Sequence, residues 1–157
     1  MQIDLIVVGK TNVDYLNIGI NDYLQRLKHY INFNLTVLPD VKNAKSLTQE
    51  QLKVKEGQLI LKGLNKSDLL VLLDENGKHY SSVAFSQYIE SQIHTGRKRL
   101  IFVIGGAYGF SSEVYARANA KVALSRMTFS HQMVRLIFVE QLYRAMTILK
   151  GEPYHHI

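Results

Sequence analysis

Three glycines within five positions, Gly105, Gly106 and Gly109, follow directly on an apolar run at residues 100–104. Without a Cβ, such a loop lets backbone N–H and C=O groups approach a ligand closely or take φ > 0. At the carboxyl end of a strand in an open α/β sheet this is where ligands bind, although the same residues also make a tight strand-to-helix turn that binds nothing. Asp74, closing the apolar run 69–73, offers a carboxylate for acid chemistry or for a ribose, against the turn role that Asp fills by bonding nearby backbone. His155 and His156 are adjacent, lack the i, i+4 spacing of a helical metal site and have no carboxylate motif beside them, so no metal is expected. Lys42, Asn43 and Lys45, and the triplet Arg97, Lys98 and Arg99, can meet phosphates or can simply be solvated loop charge.

These residues need a scaffold. Residues 3–8 read as a strand ended by Gly9, and Leu16, Ile20, Leu24, Leu27 and Ile31 then recur every three or four positions, which predicts an amphipathic helix over 13–31. A second strand at 33–38 is closed by Pro39, a polar loop spans 40–46, and a helix follows over about 48–64 with Gly57 as its weak point. The run 69–73 predicts a central strand ending in a turn at 74–77, after which Ser82 caps a helix to about residue 93. Residues 100–104 show no alternation, as in a strand covered on both faces. Ser111 and Glu113 suit the first turn of a short helix to Asn119, and 121–124 form a fifth strand. Strand and helix alternate five times. The expectation is a single α/β domain over residues 1–157, with a mostly parallel sheet flanked by helices.

The last helix, 133–149, is apolar over more than one face. Val134, Ile137, Phe138, Leu142, Ala145 and Leu149 form a stripe that Leu136, Val139, Tyr143 and Met146 widen. In so short a chain the second cover is expected to be another copy, making a homodimer.

Bulk properties narrow the function. The 157 residues, 46% hydrophobic, suffice for one core, and the absence of cysteine removes disulfides and thiolate metal sites. The apolar run at the N-terminus is too short to span a membrane and has no basic flank before it, so a cytoplasmic location with no membrane partner is expected. A formal charge of +6 favours a polyanion such as RNA, or marks an ordinary basic surface. A dinucleotide-binding fold would carry its glycine fingerprint after the first strand, where only Gly9 stands, and no Walker-type loop occurs.

The segments VVGK near the start, LLDENGK at 72–78, VIGGAYG at 103–109 and LSRMTFSHQMVRLIFVEQLYRAMTILKGEPYHH at 124–156 together resemble the small bacterial SPOUT-type methyltransferases that modify a pseudouridine in large-subunit ribosomal RNA. The resemblance spans the whole chain. It implies a homodimeric enzyme with a C-terminal trefoil knot, which sequence rules alone would argue against. It further implies S-adenosyl-L-methionine as cofactor and N3 of a pseudouridine in the assembled ribosome as target. Carried over by position, the cofactor contacts fall on Leu73, Gly105, Leu124, Ser125, Arg126, Met127, Thr128 and Phe129, largely through backbone.

A general base or an electrostatic stabiliser is also implied, with Tyr154 and His155 of the tail as candidates. Arg135 and His131 are expected to orient RNA or cofactor. Their alternatives are structural: Arg135 as an internal pair, His131 bonded to its own loop, Tyr154 packing the tail. Two positions depart from the family pattern. Gln132 stands where proline often follows the histidine, which puts loop rigidity in question, and His156 stands where a basic residue follows Tyr-His. The competing function is a non-enzymatic RNA- or ribosome-binding factor of the same fold.

Overall fold

The computed structural model describes residues 1–156. In chain order the elements are β1 (Gln2–Val8), α1 (Asp14–Leu27), β2 (Asn32–Leu38), α2 (Gln49–Lys62), β3 (Leu69–His79), α3 (Ser82–Ile93), β4 (Arg99–Ile104), α4 (Ser112–Arg117), β5 (Ala120–Ala123) and α5 (Met133–Leu149). The strands form one sheet in the order β2-β1-β4-β3-β5 with every pairing parallel. The strand that feeds the glycine loop, β4, is therefore the central one.

Parallel pairing buries both faces of the sheet, and alternate residues divide between them. Ile3, Leu5, Val7, Phe102 and Ile104 pack against Ile20 of α1, Phe85 and Ile89 of α3 and Phe138 and Leu142 of α5. Ile6, Val8, Leu70, Leu72, Ile101 and Val103 pack against Ile60 of α2 and Val114 of α4. On α5, Phe138, Val139, Leu142, Ala145 and Met146 are buried within one chain against the sheet and the flanking α1 and α3 helices, while Val134, Leu136, Ile137, Tyr143 and Leu149 stay partly exposed.

Side-chain caps fix several helix starts. Thr48 and Gln51 make a reciprocal capping box at α2, and Ser111 Oγ accepts from Val114 N–H at α4. The cap of α3 is Ser81, whose Oγ accepts from Ala84 N–H, and Ser82 is the first helical residue. The first helix ends at Leu27, four residues short of the expected boundary, and α4 stops at Arg117.

The expected turn at 74–77 is instead a bulge. Both Leu73 and Lys78 pair with Val122 of β5, so the four residues between them are expelled and the strand then resumes. Asp74 Oδ1 accepts from Asn76 N–H at 2.8 Å, which curls the chain locally, and Gly77 brings it back. A Cβ at Gly77 would lie 2.6 Å from Val122 N, and only glycine permits that approach of two backbones.

Candidate active site

The carboxyl ends of β3, β4 and β5 open into one cleft of about 540 Å³. Three segments build it: the bulge after Leu73, the glycine loop, and the loop that joins β5 to α5. Leu73, Leu124, Met127, Phe129 and Val134 supply apolar walls. Asp74, Glu75, Ser125, Thr128 and His131 supply polar groups. A volume of that size, with apolar walls and a few convergent polar groups, fits a nucleoside-sized ligand.

The β5–α5 loop is held by its own side chains. Ser125 Oγ accepts from Met127 N–H at 2.9 Å, Thr128 Oγ1 donates to Glu75 Oε2 at 3.2 Å across the cleft mouth, and Ser130 Oγ accepts from Met133 N–H at 3.1 Å. Gln132 ties the loop to the chain after β1, donating to Lys10 O and accepting from Asn12 N–H, both at 3.1 Å. Those two bonds supply the restraint that a proline would otherwise give. Met127 remains 77% exposed, an apolar side chain at the rim with no protein cover.

Seven of the eight residues expected to contact a cofactor line this cleft: Leu73, Gly105, Leu124, Ser125, Met127, Thr128 and Phe129. Arg126 belongs to the same loop, and its exposed side chain lies outside the lining. His131, expected to orient RNA or cofactor, lines the cleft, and so does Tyr108 of the glycine loop. Tyr115 of α4 also lines it and donates to Asp74 Oδ2; burial first, and then that bond, push its hydroxyl pKa up to about 12. Asp74 is therefore engaged by its neighbours on both oxygens.

Arg135 is somewhere else. It is 1% exposed, and its guanidinium donates to Val8 O and Gly9 O at 2.8 Å, to Thr11 Oγ1 at 2.9 Å and to His131 O at 3.2 Å. Burial lowers its pKa, against the opposing charge of Asp40. These bonds join the end of β1 to the start of α5, which is the structural role open to Arg135 from its sequence position.

The tail lies far from the cleft of its own chain. Tyr154 Oη donates to Glu140 Oε1 at 2.9 Å and sits 3.1 Å from Tyr23 Oη, while its ring packs edge-on against Tyr143. His155 Nδ1 lies 3.0 Å from Arg144 Nη1, and Arg144 is paired in turn with Glu140 at 2.6 Å. From Val134, which lines the cleft, to Arg144 the helix climbs about 15 Å. Arginine has no acceptor, so His155 Nδ1 must accept, and the neutral ring carries its proton on Nε2. Among the described residues no three His, Asp or Glu side chains are grouped to hold a metal ion, and no helix is long and apolar enough to cross a membrane.

Comparison with known proteins agrees with this geometry. The proteins named ribosomal RNA large subunit methyltransferase H from Parabacteroides distasonis and Christiangramia forsetii are each 60% identical to this chain over 156 residues, covering 99% of both partners. The protein of that name from Phocaeicola vulgatus is 56% identical with the same coverage. A family model described as "Predicted SPOUT methyltransferase" matches residues 1–155. With a parallel sheet, a late glycine loop and a cleft shared with the β5–α5 loop, the chain belongs to the SPOUT methyltransferase family, whose fold implies the C-terminal trefoil knot.

Proposed function

We propose that the protein transfers the methyl group of S-adenosyl-L-methionine to N3 of a pseudouridine in large-subunit ribosomal RNA, on the assembled ribosome and as a homodimer. The observation that carries this reading is the composition of the cleft: apolar walls at Leu73, Leu124, Met127 and Phe129 beside the bare backbone of Gly105 and Gly106. Those walls suit an adenine, and main-chain groups of the two loops suit its edge and the ribose. Relatives 56–60% identical over nearly the full chain carry the name of a ribosomal RNA methyltransferase, which supports the substrate class.

The cofactor, when bound, supplies an already activated methyl group. What remains for the chain is alignment of N3 with that methyl, exclusion of water, and help for N3 in losing its proton. Ser125, Thr128 and Gln132 preset the cofactor loop through the bonds described above, so little ordering is left to be done on binding. Tyr154 and His155 of the tail act on the base. Since His155 carries its proton on Nε2, it serves best as a hydrogen-bond donor to a ring carbonyl beside N3, where negative charge develops as the proton leaves.

The separation between tail and cleft supports the homodimer. No single chain presents both, and a symmetric pair can place one protomer's tail over its partner's cleft. The test is a methyl-transfer assay with ribosomes, isolated large subunits and free ribosomal RNA, each with the target pseudouridine. Label in the ribosome at N3 is the expected result. Absence of S-adenosyl-L-methionine binding by calorimetry refutes the enzyme reading, and a monomer by sedimentation at micromolar concentration refutes the shared site.

A further inference from the structure

Glu56 stands in the middle of α2, 7% exposed, and its Oε1 has no hydrogen-bond partner among the described residues. An unmatched buried carboxylate is costly, and interiors rarely retain one without a use. Its surroundings do not provide for it. From the end of β2 it faces Asp40, whose negative charge adds to burial in raising the Glu56 pKa. From the start of α4 comes Ser111, beside Gly57; its hydroxyl oxygen accepts from Val114 N–H, and its O–H makes no hydrogen bond to the carboxyl. Lys53, one turn earlier in α2, is paired with Glu50 at 2.6 Å.

The remaining neighbour is the glycine loop. A Cβ on Gly106 would lie 2.7 Å from Glu56 Oε1 and still nearer Oε2, so the carboxyl rests directly against this glycine. Gly106 also lines the cleft, and one glycine therefore separates the buried acid from the ligand space. Within the loop, Gly109 N–H is bonded to Gly106 O at 3.2 Å, whereas the N–H of Ala107, the next group along from Gly106, has no acceptor among the described residues. A donor with no protein partner, on the exposed Ala107, and a buried unmet acceptor thus flank a residue whose backbone can turn freely.

We infer that Glu56 is a positioning residue for the glycine loop: its carboxylate accepts a hydrogen bond from Ala107 N–H when the methyl donor enters the cleft and turns the 106–107 peptide. The inference rests on the reading of the cleft as the methyl-donor site. Because the bond exists only in the donor-bound loop, it favours that state and contributes to donor affinity. A bond to an ionised acceptor is of the stronger kind. In the free protein the same carboxyl is a burden, which the occupied loop relieves.

The experiment measures S-adenosyl-L-methionine affinity by calorimetry, together with thermal melting and steady-state kinetics, for the wild type and for Glu56→Gln. Removing a buried charge that lacks a partner is expected to leave the melting temperature unchanged or higher. Affinity is expected to fall about 10-fold or more, with the KM for donor rising in step and kcat at saturating donor retained. Equal affinity in the two proteins overturns the inference, and so does a parallel loss of melting temperature and affinity, which would mark Glu56 as structural. Amide exchange in the wild type keeps the test decisive should the variant fail to fold: an Ala107 N–H left unprotected in the donor complex overturns the assignment. A wild type that does not bind the donor at all refutes the reading of the cleft, a result distinct from loss of binding confined to E56Q.

Discussion

The guanidinium of Arg135 donates to the carbonyl oxygens of Val8 and Gly9, both at 2.8 Å, although 126 and more residues separate them in sequence. Both carbonyls stand at the carboxyl end of β1, and no backbone N–H of the turn that follows donates to them. The first turn of α5 does so instead. The same side chain donates from Nε to His131 O, so the loop entering α5 and the end of β1 are fixed by one group.

Replacing it is therefore expected to act first on stability. Arg135→Ala leaves two buried carbonyl oxygens without donors, a loss of about 2–4 kcal/mol, read as a lower urea midpoint at an unchanged slope. Arg135→Lys, with one ammonium for acceptors spread over Val8, Gly9 and Thr11, should recover only part of it. An Ala variant as stable as the wild type would mean that the pair of bonds is incidental.

Two glycines at element ends should respond in opposite ways. At Gly77 an added methyl meets the backbone of Lys121 and Val122 within 2.7 Å, and neither strand can yield without breaking the β3–β5 ladder. Gly77→Ala is expected to cost about 2 kcal/mol and to weaken donor binding as well, since the bulge lines the cleft. At Gly63, the residue capping α2, nothing lies within 4 Å and φ is −88°, so Gly63→Ala should be neutral or stabilising by about 0.5 kcal/mol through the unfolded chain. Melting curves of the two variants decide this directly.

The same contrast shows where sequence reasoning reached its limit. Periodicity placed five strands and the helices between them, because core-facing Leu16, Ile20 and Leu27 or Leu100 and Phe102 announce their element through spacing alone. It read 74–77 as a turn, since Asp-Glu-Asn-Gly carries turn chemistry, and could not register that Lys78 would pair with the same Val122 as Leu73. It read the apolar width of α5 as a whole, and could not divide Phe138, Leu142 and Ala145, which the sheet, α1 and α3 bury, from Leu136 and Ile137, which stay partly exposed. Glu56 was passed over entirely: one Glu among the charges of α2 carries no signal until the fold sets Gly106 against it. Arg135 gave a signal without a direction, as a lone Arg near a functional loop points equally to substrate and to backbone.

Glu56 also makes the folded state sensitive to pH. Burial, and then Asp40, raise its pKa in the fold, whereas in the unfolded chain it titrates near about 4.3. The native state therefore holds the proton more tightly, and stability from this group declines as pH rises from the unfolded pKa through the folded one. Glu56→Gln is expected to show little difference from the wild type at the acid end of that window. Its advantage in melting temperature should then grow with pH and level off once the wild-type carboxyl is ionised. A difference that stays flat across the window would mean that the carboxyl is solvated in the native state.

The tail makes a sharper claim about chemistry. Arg144, fixed by Glu140 at 2.6 Å, can only donate to His155 Nδ1, which leaves Nε2–H as the group presented outward. A glutamine side chain can place an amide N–H near the position of Nε2–H, yet it cannot take up a proton at neutral pH. If His155 acts as a donor to the ring carbonyl, His155→Gln should retain a substantial fraction of kcat while His155→Ala loses about 100-fold or more. A general base would give the opposite pattern, with Gln falling as far as Ala. Arg144→Ala removes the group that holds the tautomer, and it should lower kcat while the KM for donor, set by the cleft lining to which neither Arg144 nor the tail belongs, stays as it was.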